Sequence, residues 1–292
     1  MFTIIRAIFI ALLLIMNIII LGTTFFLFAA LKLALPAKKI QIFIYHIGEA
    51  IYHLWIDING YILQNFLGTT WQYEIDARLN NKTWYMLIAN HRSGLDILIL
   101  QIIFNRKIPH LKFFMKDSLQ WIPFIGQACY VLDYPIIKRY SHSKARKNSK
   151  LLQQSRQDLV DTCKKLQQRP TTVINFLEGT RFSEKKHLKS PYKYLLPPQA
   201  GGTAVVMTEL KQQINQVIDV TIYYPQKTTL FSFLLGKVKN IKVEYDLITI
   251  DESWHGQFYI DRQYRAAIND KIKKLWQQKD NVIAKLQQMD IE

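Results

Sequence analysis

Residues 7–31, AIFIALLLIMNIIILGTTFFLFAAL, contain no ionisable side chain and only Asn17, Thr23 and Thr24 as polar interruptions. A bilayer core takes about 20 apolar residues to cross, and a cleaved signal peptide needs only roughly 7–15, so the run exceeds both. It predicts a transmembrane or deeply embedded segment over about residues 7–34. Arg6 precedes the segment, whereas Lys32, Lys38 and Lys39 follow it with the basic remainder of the chain. By the positive-inside rule the bulk of the protein then lies in the cytoplasm, and a tight hairpin centred on Gly22 would change the number of crossings. Residues 40–66 carry His46, Glu49, His53, Asp57, Gly60 and Gln64 at steps of three and four, a single helical face. Two histidines and two carboxylates on one face allow a metal reading, but they string out along three turns and do not converge. An amphipathic helix in the membrane interface or docked on the domain is the better expectation, with no metal.

The chain has 292 residues, 49% of them hydrophobic, which excludes a disordered or fibrous protein and fits one large domain or two modest ones. Cys129 and Cys163 are far apart and lack metal-ligand spacing; two ordinary core residues in a reducing compartment are expected. A formal charge of +16 requires an anionic partner: nucleic acid, a phospholipid surface or a phosphorylated substrate. Nucleic acid would account for the charge but not for the membrane segment, and no nucleic-acid motif is present.

Two polar clusters stand at the ends of apolar runs. Trp84–Ala89 is a short apolar stretch of the buried-strand kind; it ends in Asn90 and His91, and the next apolar run, Ile97–Phe104, is preceded by Asp96. His91 and Asp96 would lie about 500° apart on a continuous helix and could not share a face. Ser93-Gly94 supplies a turn across which they meet, with Asp96 in the first turn of the following helix, where its charge suits the dipole. A histidine oriented by a carboxylate is a general base; the plainer alternative is a hydrogen-bonded cap. The second cluster, Glu178-Gly179-Thr180-Arg181, follows the β-branched run Thr171–Leu177. In open α/β sheets ligands gather outside such strand ends; Arg181 is a natural fork for phosphate, and Gly179 lets backbone approach a ligand.

Further strands are expected at 110–116, 217–224 and 241–247, a helix at 151–168, an exposed apolar hairpin at FSFLLG (231–236) that touches the membrane, and a closing helix over 261–289. Lys138, Arg139, Lys144, Arg146, Lys147 and Lys150 form a dense basic run, in which Arg139 stands out as a cation at the exit of the apolar stretch that contains Ile136 and Ile137. Strands alternating with helices make one α/β domain, a mixed sheet flanked by helices, behind the helical anchor.

Taken together, NHRSGLD at 90–96 and FLEGTR at 176–181 resemble the first and third motifs of the glycerolipid acyltransferase family, N-H-x-x-x-x-D and F-P-E-G-T-R, in the right order. IIKR at 136–139 is similar to the second motif. The YKYLLPPQAGG loop and LWQQKD at 275–280 look most like the branch of bacterial inner-membrane 1-acylglycerol-3-phosphate and lysocardiolipin acyltransferases. Leu177 stands where the third motif normally has Pro, a change expected to loosen the turn that aims Glu178 and Arg181. Of the fourth motif, an apolar-Pro segment, VIDVTIYY at 217–224 is the best counterpart, with Pro225 coming late.

The resemblance implies a membrane anchor over residues 1–66, an acyltransferase domain over 67–292, and a bacterial inner-membrane location with that domain on the cytoplasmic side. His91 would be the general base and Asp96 its orienter. Arg139, Glu178, Gly179, Thr180 and Arg181 would sit at the acceptor phosphate. The co-substrate would be an acyl thioester, acyl-CoA or acyl carrier protein, with no cofactor. The acceptor would be a lysophospholipid, 1-acyl-glycerol-3-phosphate first, lysophosphatidylglycerol or lysocardiolipin as alternatives. Rival readings are a thioester or lysolipid hydrolase using the same pair and a non-catalytic lipid-binding protein. The phosphate cluster argues against the first, and the intact base against the second.

Overall fold

The computed structural model describes residues 2–137 and 149–290. Arg139 and most of its basic run lie outside the described residues. The chain forms two compact units: residues 1–67 with 112–166, and residues 68–111 with 167–292.

The first unit opens on α1 (Phe2–Ala34) and α2 (Lys38–Phe66). α1 runs unbroken through Gly22, so no hairpin forms there. A Cβ at Gly22 would stand 2.5 Å from the Phe124 ring, so glycine here serves close packing and not a bend. The helix is long and apolar enough to cross a membrane. Most of its large apolar side chains, Ile4, Phe9, Leu12, Ile15, Ile20 and Leu27 among them, are exposed, as a lipid-facing helix requires. Its polar interruptions are satisfied internally. Asn17 is buried and donates to Asn59 Oδ1 (2.9 Å) and the Trp55 carbonyl (3.1 Å) of α2, while Thr23 and Thr24 bond back to Ile19 and Leu21 carbonyls. Lys32 is also buried, its ammonium held by the Tyr130 and Val131 carbonyls and by Asp133 at 2.7 Å.

On α2 the expected polar line is exposed at His46, Asp57 and Gln64, while Gly60 is buried on the packed face with Ile56, Asn59 and Leu63. Among the described residues no cluster of three or more His, Cys, Asp or Glu side chains could hold a metal. The stretch 110–116, expected as one strand, splits into β3 (Leu111–Phe113) and β4 (Met115–Lys116). The connection after it contains α4 (Ile125–Val131), entered through Phe124 at φ 68°. β5 (Ile136–Ile137) pairs parallel with β4, and α5 (Ser149–Leu166) closes the unit. Cys129 and Cys163 are free and buried; burial pushes the Cys129 thiol up to about 12.

The second unit is built on a six-stranded mixed sheet in the order β1-β8-β7-β2-β6-β3, with β1 (Thr70–Gln72), β2 (Trp84–Ala89), β6 (Thr172–Phe176), β7 (Ile214–Tyr223) and β8 (Asn240–Thr249). β2 lies between β6 and β7 and runs parallel to both, whereas β7 and β8 are antiparallel. A strand flanked on both sides and covered on both faces reads as a continuous apolar run, and Tyr85–Ala89 are all fully buried. The register sets Ala89 opposite Phe176 on one side and Val220 on the other, so β2 and β6 end side by side while β7 runs on to Tyr223. α3 (Asp96–Phe104) follows β2, α6 (Glu184–His187) follows β6, and α7 (Gly201–Glu209) leads into β7. The segment expected as an apolar hairpin is instead a helical turn, α8 (Leu230–Leu234): a reciprocal cap between Thr229 and Ser232 fixes its start, and Phe233 buries its inner face. α9 (Arg262–Gln288), capped by Asp261, packs its Tyr264, Ile268, Ile272 and Trp276 inward.

Candidate active site

The carboxyl ends of β2, β6 and β7 supply the site, in the region where parallel strands leave ligands room. After β2 the chain turns through Ser93-Gly94 and starts α3 at Asp96. This brings His91 Nδ1 to 2.8 Å from Asp96 Oδ2. The same oxygen accepts the Arg92 amide at 2.7 Å and the Ser93 amide at 2.9 Å, and Oδ1 accepts the Tyr224 hydroxyl at 2.6 Å. Asp96 is completely buried, so these donors replace its water. With Nδ1–H donating to the carboxylate, Nε2 is left as the basic nitrogen. The His91 ring is 15% exposed, enough for a substrate hydroxyl to reach it, and lies flat on Phe176 at 4.1 Å.

Asn90, fully buried, bridges the strand ends: its amide donates to the Ile222 carbonyl (2.9 Å), and its oxygen accepts the Ile222 amide (2.8 Å). On the other side Leu177 does what a proline could not. Its amide donates to the Ala89 carbonyl at 3.2 Å, extending the β2–β6 ladder by one bond. Leu177 therefore adds at the strand exit a ladder bond that proline in that place would lack.

Glu178 turns inward. It is 2% exposed, and its Oε1 accepts the His91 amide at 3.2 Å. Burial pushes its carboxyl up to about 8, opposed by the His91 amide and the Arg92 guanidinium. Gly179 adopts φ 65°, a conformation that favours glycine, and a Cβ there would stand 3.0 Å from the Gln199 amide. Thr180 accepts a bond from Lys186 Nζ at 2.6 Å. Arg181 is exposed; a Cβ on Gly94 would come within 3.7 Å of its Nη1, so the two motifs meet at this guanidinium. A cavity of about 760 Å³ is lined by Arg92, Gly94, Arg181, Tyr224, Lys227 and Leu230, among others. Thus Arg181 faces the cavity, whereas Glu178 braces the backbone of His91.

Several site residues carry no signal in the sequence. Arg92 stacks on Phe182 at 4.0 Å and donates to the Tyr194 carbonyl at 2.9 Å; burial lowers its pKa while Glu178, Asp96 and Glu184 hold it up. The loop before α7 is held from α9: Asp280 accepts the Lys193 and Tyr194 amides at 2.9 and 2.8 Å, and Trp276 Nε1 donates to the Leu196 carbonyl at 2.8 Å. The LWQQKD stretch thus has a structural reason. Its spacing on a helix is legible in the sequence, its partners are not.

Comparison with known proteins places this geometry in context. A protein-family model described as Acyltransferase matches residues 71–224, the span that contains both motifs. The 1-acyl-sn-glycerol-3-phosphate acyltransferase epsilon of Mus musculus is 23% identical over 251 residues, covering 77% of this chain and 65% of that protein. The 1-acyl-sn-glycerol-3-phosphate acyltransferase 2 of Brassica napus is 26% identical over 189 residues, covering 59% of this chain and 46% of its own length. The chain thus spans about half to two thirds of the length of these curated relatives. In fold it is similar to the crystal structure of the 1-acyl-sn-glycerophosphate (LPA) acyltransferase PlsC from Thermotoga maritima, with a TM-score of 0.55, 12% identity, and 97% of this chain and 96% of that chain covered.

Proposed function

Since the chain belongs to the acyltransferase family, we propose that it moves a fatty acyl chain from a thioester donor, acyl-CoA or acyl carrier protein, to the free hydroxyl of a lysophospholipid, with 1-acyl-glycerol-3-phosphate as the preferred acceptor. The observation that carries the reading is the His91–Asp96 pair. A buried, fully hydrogen-bonded carboxylate holds Nδ1 and leaves Nε2 basic, one residue before the turn that lines a cationic cavity. His91 Nε2 takes the acceptor proton as the hydroxyl oxygen attacks the thioester carbonyl; Asp96 stabilises the imidazolium; collapse of the tetrahedral species expels the thiolate, which receives that proton. No acyl-enzyme forms. Arg181 offers its fork to the acceptor phosphate, with Glu178, Gly179 and Thr180 setting the turn that presents it and Arg139 adding a second cation.

The substrates are lipids, and the reading places the protein in a bacterial inner membrane with its acyltransferase domain on the cytoplasmic side. Support comes from the apolar α1 and the lysines that follow it. Leu230 and Phe231 on α8 are 60% and 73% exposed, and Leu230 lines the cavity, so the mouth carries an apolar edge beside exposed Lys227. Replacing both by Ser should lower the rate on bilayer-embedded acceptor about tenfold, since burying such side chains is worth roughly 1.5–3 kcal/mol each when complete. A short-chain, monomeric acceptor should be used at an unchanged rate; equal losses on both acceptors would remove α8 from the lipid surface.

The test of the reading is acyl transfer by membranes carrying this protein, with labelled acyl-CoA or acyl carrier protein and a panel of lysophosphatidic acid, lysophosphatidylglycerol and lysocardiolipin. Acylated lysophosphatidic acid should dominate; preference for another headgroup would reassign the acceptor, and thioester loss without acylated lipid would contradict transfer. Arg181→Ala should raise the apparent KM for the acceptor by roughly 10- to 100-fold, the worth of a lost charge-assisted contact, with a much smaller change in kcat. An unchanged KM in initial-rate measurements would take Arg181 off the phosphate.

A further inference from the structure

We propose that Tyr224 is a positioning residue for the acyl transfer: its hydroxyl holds the second oxygen of Asp96 so that the first stays aimed at His91. The proposal rests on the general-base reading of His91. Three donors, His91 Nδ1, Arg92 N and Ser93 N, converge on Asp96 Oδ2 at 2.7–2.9 Å. Oδ1 takes the Tyr224 hydroxyl at 2.6 Å, a short bond of the charge-assisted kind. Without that donor a fully buried carboxylate would hold one oxygen unbonded and could rotate away from the imidazole to satisfy it.

The hydroxyl arrives from a different element than its acceptor. Asp96 opens α3, whereas Tyr224 directly follows the last residue of β7. The two-way bond between Asn90 and Ile222 fixes β7 against the exit of β2 two residues earlier, and Pro225 restricts the backbone immediately after. The segment resembling the fourth family motif thereby delivers a phenol to the back of the base pair. Burial, together with the charge of Asp96 and the bond to it, raises the Tyr224 pKa well above its ordinary value, so the phenol remains a donor wherever the protein works.

The charged and titratable groups around this turn are Asp96 from α3, Arg92 beside it, Glu178 and Arg181 after β6, Glu184 of α6, and Tyr224 itself. Tyr224→Phe removes one hydroxyl and leaves the others in place.

In full-length protein, Tyr224→Phe should lower kcat for acyl transfer about tenfold, as loss of a hydrogen bond to a charged group does, with the acceptor KM within about twofold. The loss should fall on kcat and not on KM, because the hydroxyl acts through Asp96 and His91 and not on the acceptor. A kcat that falls only in proportion to the folded protein, with the melting transition lowered alongside, or full activity, would overturn the proposal. Should Tyr224→Phe fail to fold, site-specific fluorotyrosine at position 224 keeps both the shape and the donor, and kcat should then stay within about twofold. A tenfold loss in that variant would again overturn it. Activity surviving in His91→Ala would instead fail the general-base reading itself, a separate outcome.

Discussion

His91→Ala is expected to lower kcat/KM for acyl transfer by about 10²–10⁴-fold, the usual contribution of a positioned general base. Folding should be nearly unaffected. The ring is partly exposed and packs flat on Phe176, while the strand exit is held by backbone and by Asn90, Leu177 and Glu178, none of which needs the imidazole. Asp96→Asn should cost nearly as much by a different route. An amide at that position can no longer accept freely from Nδ1–H, so the tautomer with a basic Nε2 loses its support. Activity and thermal unfolding measured together separate the roles. Loss of activity with an intact melting transition identifies chemistry, whereas parallel loss of both in His91→Ala returns the pair to a structural cap.

Lys279→Ala carries the largest expected effect on stability, about 3–5 kcal/mol, because it strands a buried partner. Lys279 is 2% exposed and lies 2.7 Å from Asp219, which is itself buried; its ammonium also donates to the Val220 carbonyl (2.6 Å) and Thr221 (3.2 Å). Burial raises the Asp219 pKa and the lysine opposes that rise, so removing the lysine leaves an acid that folds only by taking up a proton. The destabilisation should therefore grow with pH above the ordinary carboxylate range and shrink in acid. Replacing both residues with apolar side chains of similar volume should recover most of the loss. Chemical denaturation of the single and double variants checks this, and a neutral Lys279→Ala would mean that α9 is not fastened to β7 through this pair.

The central strand Trp84–Ala89 is legible in the sequence because burial on both faces leaves only apolar side chains, and its neighbour Thr172–Phe176 is marked by the β-branched run that contains it. The His91–Asp96 meeting follows from helix geometry, since a five-residue spacing can close only across a turn. Other features depend on partners distant in sequence. Lys279 and Asp280 lie in a polar, helix-forming stretch whose spacing does not show their burial, one against β7 and the other beneath the loop before α7. Tyr224 shows nothing of its hydroxyl's destination 128 residues away. The segment at 231–236 departs from a hairpin for a local reason: the reciprocal Thr229–Ser232 cap starts a helical turn that composition alone hides. Glu178, placed at the phosphate by resemblance, is turned inward by the His91 amide it satisfies.

The most direct test is the stoichiometry of CoA release. With labelled acyl-CoA and purified full-length protein in phospholipid nanodiscs, thiol release and acylated lipid are followed together, with and without lysophosphatidic acid. A base that activates the acceptor hydroxyl predicts negligible thiol release without acceptor, one acylated lipid per thiol with it, and loss of both in His91→Ala. Thiol released at the same rate without acceptor would mean that His91 activates water, and would contradict the account.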